Sequence, residues 1–378
     1  CNSSPSFTTN PTPYFCAGQC YDYNHGAFDP DNDSLLYALS CPLQGAGNCI
    51  LNVAGLGPAQ PLFTNPPNGF NFNQQTGQMS FCTQPGLAQF AVAAVTVFQI
   101  ANGDTIGYVQ RDIQMIVLNS VNCTSPVGSN NPTVFQGGSF DTTSNTFIVC
   151  AGETLIFDLV LSDPDGDTIQ VDPSNTNLDA VFGSGFWTII INDAPPFSHD
   201  SLQMFVQVIA NPANIGVNNF TIGVTDNACP VPGDQILGFN LIIPGVEVTA
   251  SDTTICPGIA QQIQLTANSF SSIGGLTAGT FGWIQTSGVP ITFSDDTIPN
   301  PLVSVPSSTV DGDSIVLTVT FTTQPDPISG SQCVTTDDVV IYLSALPLDL
   351  NVFATDITLC PNSINDTIGL STAISGPG

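Results

Sequence analysis

Residues 150–167 read CAGETLIFDLVLSDPDGD, and residues 16–33 read CAGQCYDYNHGAFDPDND. Both stretches open on a Cys-Ala-Gly turn signal and reach Asp-Pro-Asp-x-Asp, with the first aspartate thirteen residues after the cysteine. The cysteine half of the motif recurs alone: FCAG at 15–18, VCAG at 149–152, ICPG at 255–258 and LCPN at 359–362. Four markers at intervals of roughly 105–130 residues indicate tandem domains.

Between the markers the chain reads as short strands broken by Pro/Gly/Asp/Asn clusters. In the first unit, residues 1–123, strands are predicted at Leu35–Leu39, Gln89–Ile100 and Gly107–Leu118. The second unit, 124–248, has them at Leu155–Leu161, Phe186–Ile191, Leu202–Ile209, Phe220–Thr225 and Ile236–Ile243. The third, 249–352, has them at Ile263–Ala267, Phe281–Gln285, Leu302–Val305, Ser314–Thr322 and Val339–Leu343. Residues 353–378 begin a fourth, incomplete repeat. No window supports an amphipathic helix of ten or more residues. The fold class that follows is all-β: tandem antiparallel β-sandwich domains of immunoglobulin-like type.

Composition bounds the function. The 378 residues include one cation, Arg111, and 30 acidic residues, for a net charge of −29, yet only 8% are charged. Solubility must rest on Asn, Gln, Ser and Thr. A nucleic-acid surface needs clustered Lys and Arg and is excluded, and an anionic membrane is disfavoured for the same reason. Halophilic acidity would be denser in Asp and Glu; aspartates grouped in clusters fit a divalent cation better. No apolar run is long enough to span a membrane, and no signal-peptide pattern is present. The expectation is a mature or internal fragment of something longer. Arg111 shares the apolar face of its strand with Val109, Ile113, Met115 and Val117, which calls for a carboxylate partner.

Twelve cysteines in a lysine-free, Gly/Pro/Asn-rich chain point to an oxidising, extracellular setting. Zinc is disfavoured, because no ligand quartet of usual spacing exists and the chain has two histidines. The simplest disulfide pairing is one per later domain, Cys150 with Cys229 and Cys256 with Cys333, plus a local loop Cys41–Cys49. Intervals of 27 residues (Cys123 to Cys150, Cys229 to Cys256, Cys333 to Cys360) also allow staples at the junctions. Sequence leaves the connectivity open.

Several phrases resemble the extracellular repeat domains of Bacteroidota surface proteins, the large PKD-like and Ig-like proteins associated with gliding motility and type IX secretion. NSSPSF (2–7), YNHGAFDPDNDSLLYAL (23–39) and IGYVQRDIQMIVLNSVNC (106–123) carry the resemblance in the first unit, which would be PKD/Ig-like. Trp283, FSDDTIPNPLVSV (293–305), Cys333 and ICPG carry it in the Ig-like third unit. The second unit, Ig/cadherin-like, shares the cysteine turn, DPDGDT and TDNACP (225–230). The resemblance implies secretion, a bacterial cell-surface adhesin or filament role, and no catalysis. Partners would be further copies of the chain or other surface proteins and glycans.

Asp29, Asp31 and Asp33, and again Asp163, Asp165 and Asp167, set carboxylates at i, i+2 and i+4, a spacing able to converge oxygens on a hard cation such as calcium. Neither loop is an EF-hand, since the twelfth position is Ser40 or Ser174. The spacing resembles cadherin-like and PKD-like calcium loops, with Asp226 as the distant aspartate of the second unit. The alternative is an Asp-Pro-Asp turn whose carboxylates cap backbone amides. The third unit has Ser269 at the equivalent position and lacks the motif.

Nine Asp-Ser/Thr steps place hydroxyls at Ser34, Thr105, Thr142, Thr168, Ser201, Thr253, Thr297, Ser314 and Thr367. The pattern looks like the O-glycosylation signal of Bacteroidota, and composition alone would give about two or three. The alternative is that turns ending in aspartate precede β-branched strand starts. Asn-x-Ser/Thr sequons occur at Asn2, Asn122, Asn219 and Asn365. No GxSxG, HExxH or phosphate-binding glycine loop is present, and His199-Asp200-Ser201 adjacency is no triad. The leading function is a non-enzymatic secreted structural or adhesive repeat protein. The alternative, a binding region of a larger secreted enzyme, would need an exposed aromatic row on one sheet, and no strand pattern supplies one.

Overall fold

The computed structural model describes residues 2–9, 14–44, 47–50, 54–65, 69–101, 103–119, 126, 132–192, 200–228, 232–251, 253–270, 279–326 and 329–344, and the backbone of 127–128, 349–354 and 370–375. Among these, one short helix, Leu178–Phe182, and a 3-10 turn, Pro212–Asn214, interrupt an otherwise all-β chain. The architecture is a tandem series of antiparallel, immunoglobulin-like β-sandwiches.

The first sandwich sets a sheet ordered Tyr14–Cys16, Asp104–Leu118, Gln89–Ala101, Ser34–Ser40 with a sheet of Cys20–Tyr23, Met79–Cys82 and Phe70–Phe72. Period-2 alternation puts Val95, Val97, Ile113, Met115 and Val117 inside, against Tyr21, Tyr23 and Phe81. In the second, Thr154–Ser162, Ser201–Ile209 and Trp187–Asn192 form one sheet. Thr146–Ile148, Asp234–Ile243, Gly216–Thr225 and Gln170–Asp172 form the other. Their inner faces meet on Phe147, Phe157, Phe220 and Phe239, the first two with ring centroids 4.4 Å apart. Further along, Gly245–Ala250, Gln261–Phe270, Leu302–Val305 and Thr292–Phe293 form one sheet, and Thr254–Ile255, Val334–Leu343, Ser314–Thr323 and Gly279–Ser287 another. There Ile315, Leu317, Val319 and Phe321 are fully buried, as their alternation predicts. Every long strand expected from sequence is present, generally extended by a few residues at its ends.

A regularity that the sequence marked without explaining is the strand before each cysteine turn. Tyr14–Cys16 pairs in parallel with residues 116–118, Thr146–Ile148 with 240–242, and Thr254–Ile255 with 342–343. Each sandwich thus has an early short strand lying in parallel along its last long one. The chain must then turn sharply out of the parallel pair. Gly18, Gly152 and Gly258 make that turn at φ of +83°, +85° and +76°, a conformation side chains with a Cβ resist.

Chain contacts define two compact units, the first of Cys1–Glu247, Asn268–Thr280 and Phe321–Thr336, the second of Val248–Ala267, Phe281–Thr320 and Asp337–Gly378. Within the first unit, two sandwiches are joined by buried carboxamides. Gln78 donates to the Ile236 carbonyl at 3.1 Å and accepts from the Gly238 amide at 2.6 Å. Asn240 donates to the Gln75 carbonyl at 3.2 Å and accepts from Asn219. Gln235 accepts from the Asp22 amide at 2.6 Å and donates to the Cys20 and Pro126 carbonyls. Gly238 is required here: a Cβ would lie 2.0 Å from Asn24 Nδ2.

Arg111 does not take the carboxylate partner that its apolar face suggested. Its guanidinium donates to the Thr9 carbonyl at 2.6 Å and the His25 carbonyl at 3.1 Å, and stacks 5.1 Å from the Phe7 ring centroid. Two carbonyls and an aromatic face satisfy the cation without desolvating an anion. His25 is fully buried beside Tyr23 and Phe7, and neither ring nitrogen has a hydrogen-bond partner. Burial, aided by the Arg111 charge, pushes its pKa down to about 3.

The disulfides correct two expected pairings. Cys150 bonds Cys333, 183 residues away, with Cα atoms 5.2 Å apart. Cys333 is therefore not available to Cys256, which is free and half-buried, and Cys150 is not available to Cys229, which lies outside the described residues. Cysteine spacing could not foresee this, because bonding depends on which Cα atoms the fold brings within reach. Cys41–Cys49 forms as expected, and Cys20 bonds Cys82 directly across an antiparallel strand pair.

Two outcomes follow. The unfolded chain protonates His25 near its ordinary pKa and the folded chain does not, so this residue's contribution is complete above about pH 6.5 and is lost as pH falls toward about 3. Urea melts of His25→Phe and wild type should diverge by about 1.4 kcal/mol per pH unit in that window, the variant being the more acid-resistant. Non-reducing peptide mapping should link Cys150 to Cys333, and Cys333→Ser should lower stability by about 2–5 kcal/mol.

Candidate metal centre

The two Asp-Pro-Asp loops share one local structure and differ in one partner. In the second, Asp163 Oδ1 accepts the backbone amides of Asp165, Gly166 and Asp167, each at 3.1 Å. Gly166 at φ +88° lets the chain curl tightly enough to present all three. This is the capped turn that the alternative reading expected, and it occupies only one oxygen. Asp163 Oδ2 is buried with no hydrogen-bond partner.

One carboxylate oxygen from each of Asp163, Asp165 and Asp167 lies within 4.8 Å of the others. Asp226 comes from the turn after the strand Gly216–Thr225 and repeats the asymmetry. Its Oδ1 accepts from Ala228 at 2.9 Å and Gly233 at 2.7 Å, while its Oδ2 is buried and unpartnered. Asp163 is 6% and Asp226 2% exposed. Burial pushes the Asp163 carboxyl up to about 6, with the adjacent Asp165 carboxyl adding to it. Asp226 is likewise raised, by burial first and then by the charges of Asp167 and Asp165. Three converging carboxylates, with Asp226 near enough to feel the charges of Asp165 and Asp167, have the donor chemistry of a hard-cation site: all oxygen, anionic, on an adaptable loop.

The first loop begins the same way. Asp29 Oδ1 accepts from the amides of Asp31 at 2.8 Å and Asp33 at 3.2 Å. Here, however, Gln99 projects its amide into the loop and donates to Asp29 Oδ2 at 2.8 Å and Asp33 Oδ2 at 2.9 Å. Asp31 accepts from the Ser3 amide at 2.5 Å. An uncharged NH2 group stands where a cation would, and none of these carboxylates is left unsatisfied. Gln99 was missed by the sequence reading. Its only trace in the sequence is a carboxamide in period-2 step with Val95 and Val97; in the structure it is 1% exposed.

The hydroxyls of the Asp-Ser/Thr steps divide by exposure. Thr105, Thr142, Thr168, Thr253 and Thr297 are exposed, whereas Ser201 and Ser314 are half-buried. Ser34 is 5% exposed, paired with Ile100 in its sheet, which leaves no room for a glycan. Asn219 is buried in the carboxamide junction and is equally inaccessible. Asn122, His199 and Thr367 lie outside the described residues. Trp283 is a core residue, whereas Trp187 is half-exposed and donates to Asp179 at 2.8 Å.

No family model matches the sequence, and no curated protein matches it. Among solved structures, the chain is similar to a glycoside hydrolase family 107 endo-fucoidan hydrolase (16% identity, TM-score 0.20, 92% of this chain and 45% of that one). It is also similar to a protocadherin GammaB4 extracellular domain (12% identity, TM-score 0.27, 98% and 56%) and to titin domains A168–A170 (11%, TM-score 0.21, 90% and 99%). The chain spans about half the length of the first two. Scores this low support no inference about ligand or activity.

Replacing Gln99 by leucine removes the donor shared by Asp29 and Asp33. Urea denaturation at pH 7 should show a loss of about 3 kcal/mol. The loss should shrink below about pH 6, where Asp29, pushed up to about 6 by burial, takes up a proton.

Proposed function

We propose that this chain is a non-enzymatic, secreted structural and adhesive segment of a bacterial cell-surface protein or extracellular filament, in which Ca2+ bound by Asp163, Asp165, Asp167 and Asp226 stiffens the second sandwich. The observation that carries the metal is the pair of buried, unpartnered oxygens, Asp163 Oδ2 and Asp226 Oδ2. A carboxylate buried without a donor is costly, and a divalent cation offsets that cost. Secretion is supported by the disulfides Cys20–Cys82, Cys41–Cys49 and Cys150–Cys333, which persist in oxidising compartments. Among the described residues no helix is long and apolar enough to cross a membrane. The Asp-Ser/Thr hydroxyls that are exposed remain the candidates for glycan attachment, and a native intact mass above that of the bare polypeptide would reveal them. The first loop, with Gln99 in its centre, has no comparable demand for a cation.

A binding role alongside the structural one draws support from an outward-facing aromatic row that the sequence reading did not find. Phe98 and Tyr108 lie opposite one another with ring centroids 6.2 Å apart, and Tyr108 is 70% exposed.

Thermal melts test the metal. Protein stripped with EDTA at pH 7 should gain stability on adding Ca2+, by about 2.7 kcal/mol at a hundredfold excess over Kd. Asp226→Asn should lose that response while keeping the Ala228 and Gly233 caps on its oxygen. A midpoint indifferent to both EDTA and Ca2+, with metal-free elemental analysis, would overturn the assignment.

A further inference from the structure

The carboxamides that join the first two sandwiches continue outward into an open groove of about 710 Å3. This lies within the range of about 300–1,000 Å3 typical of small-ligand sites. Asn71, Gln74 and Gln75 line one side, and Thr142, Thr143 and Asn145 the other. Among the described residues no charged side chain lines it. Unlike the buried amides of the junction, the side chains of Gln74, Gln75, Thr142 and Asn145 make no hydrogen bond with the rest of the chain, so their donors and acceptors are turned to solvent.

The groove has an apolar approach. Leu36 is one of its walls and sits on the outer strand of its sheet. In register across that sheet, Leu36 pairs with Phe98 and Phe98 with Tyr108, so the three side chains share one face. At about 4.8 Å between strands the row is about 10 Å long. Tyr108 at 70% exposure and the half-buried Phe98 form its aromatic end, and half-buried Phe72 lines the groove beyond Leu36.

We infer that this surface binds a neutral saccharide chain. Each carboxamide offers a donor pair and an acceptor, the complement of a sugar hydroxyl that both gives and accepts. The aromatic and aliphatic row offers a flat apolar surface to the C–H face of a pyranose ring. A polyanion is disfavoured: no cation faces the groove, and the chain carries a net charge of −29. A protein partner would cover the aromatic row but would leave the free amides to pair with scattered backbone groups, whereas a saccharide supplies hydroxyls at every residue. This deepens the adhesive reading by giving it a ligand class, and it is independent of the metal, so the calcium melts and the binding test below fail separately.

Affinity electrophoresis in native gels containing laminarin, xyloglucan, galactomannan or dextran, with alginate as the anionic control, provides the test. At least one neutral gel should retard the protein. Retardation should weaken at least tenfold in both Tyr108→Ala and the double variant Gln74→Ala/Gln75→Ala, with unchanged melting midpoints, since the side chains of Gln74 and Gln75 make no hydrogen bond within the fold and Tyr108 is 70% exposed. The inference is overturned by no retardation in all four neutral gels, by retardation in alginate alone, or by a Tyr108→Ala or Gln74→Ala/Gln75→Ala protein that binds like wild type.

Discussion

Buried hydrogen bonding by uncharged amides is the constraint on which the first unit depends. A chain with one cation cannot neutralise buried carboxylates by ion pairing, and an unpaired buried charge is expensive. Asn and Gln carry both donor and acceptor without a net charge, so they can cross an interface and satisfy backbone groups on the far side. Gln78, Gln235 and Asn240 do this between the first two sandwiches, at 3%, 4% and 0% exposure. The arrangement is demanding, because each amide left unpaired would cost about 1–3 kcal/mol. That demand explains why the backbone at Gly238 must come so close to Asn24. Even Arg111 conforms to the rule, taking carbonyls and a phenyl ring in place of a carboxylate.

The same chemistry separates the two aspartate loops. Both use the first aspartate's Oδ1 to cap the turn, which is why the motif reads alike in sequence. Whether Oδ2 needs a cation is decided by what lies opposite. Across from Asp29 the neighbouring strand contributes Gln99; beside Asp163 the surrounding groups are Asp165 and Asp167, both acceptors when ionised. One loop is satisfied from within the protein, and the other is left with buried oxygens that a divalent cation would fit. The motif is therefore a turn first, and whether its second oxygen finds a donor depends on a distant residue.

The cysteine marker has an equally local part and an equally distant one. Its glycine turns the chain out of the parallel strand pair in each sandwich, and this is why it recurs with the repeat. Its cysteine has no fixed partner: Cys150 reaches Cys333, while Cys256 is free. Equal spacings in sequence suggested equal bonds, but the three-dimensional distance between Cα atoms decides them.

Sequence by itself determined the all-β class, the repeat, the long strands and their buried faces. These follow from period-2 alternation and turn residues, which act over a few positions along the chain. It also located the aspartates of the candidate site, because loop geometry is set by near neighbours. The short strands before the cysteine turns escaped notice, since two or three residues carry no readable period. Gln99, the Tyr108–Phe98–Leu36 row and the Cys150–Cys333 bond were decided only by the tertiary structure. Each depends on strand register or on residues far apart in the chain, and such contacts leave no periodic trace in the order of the amino acids.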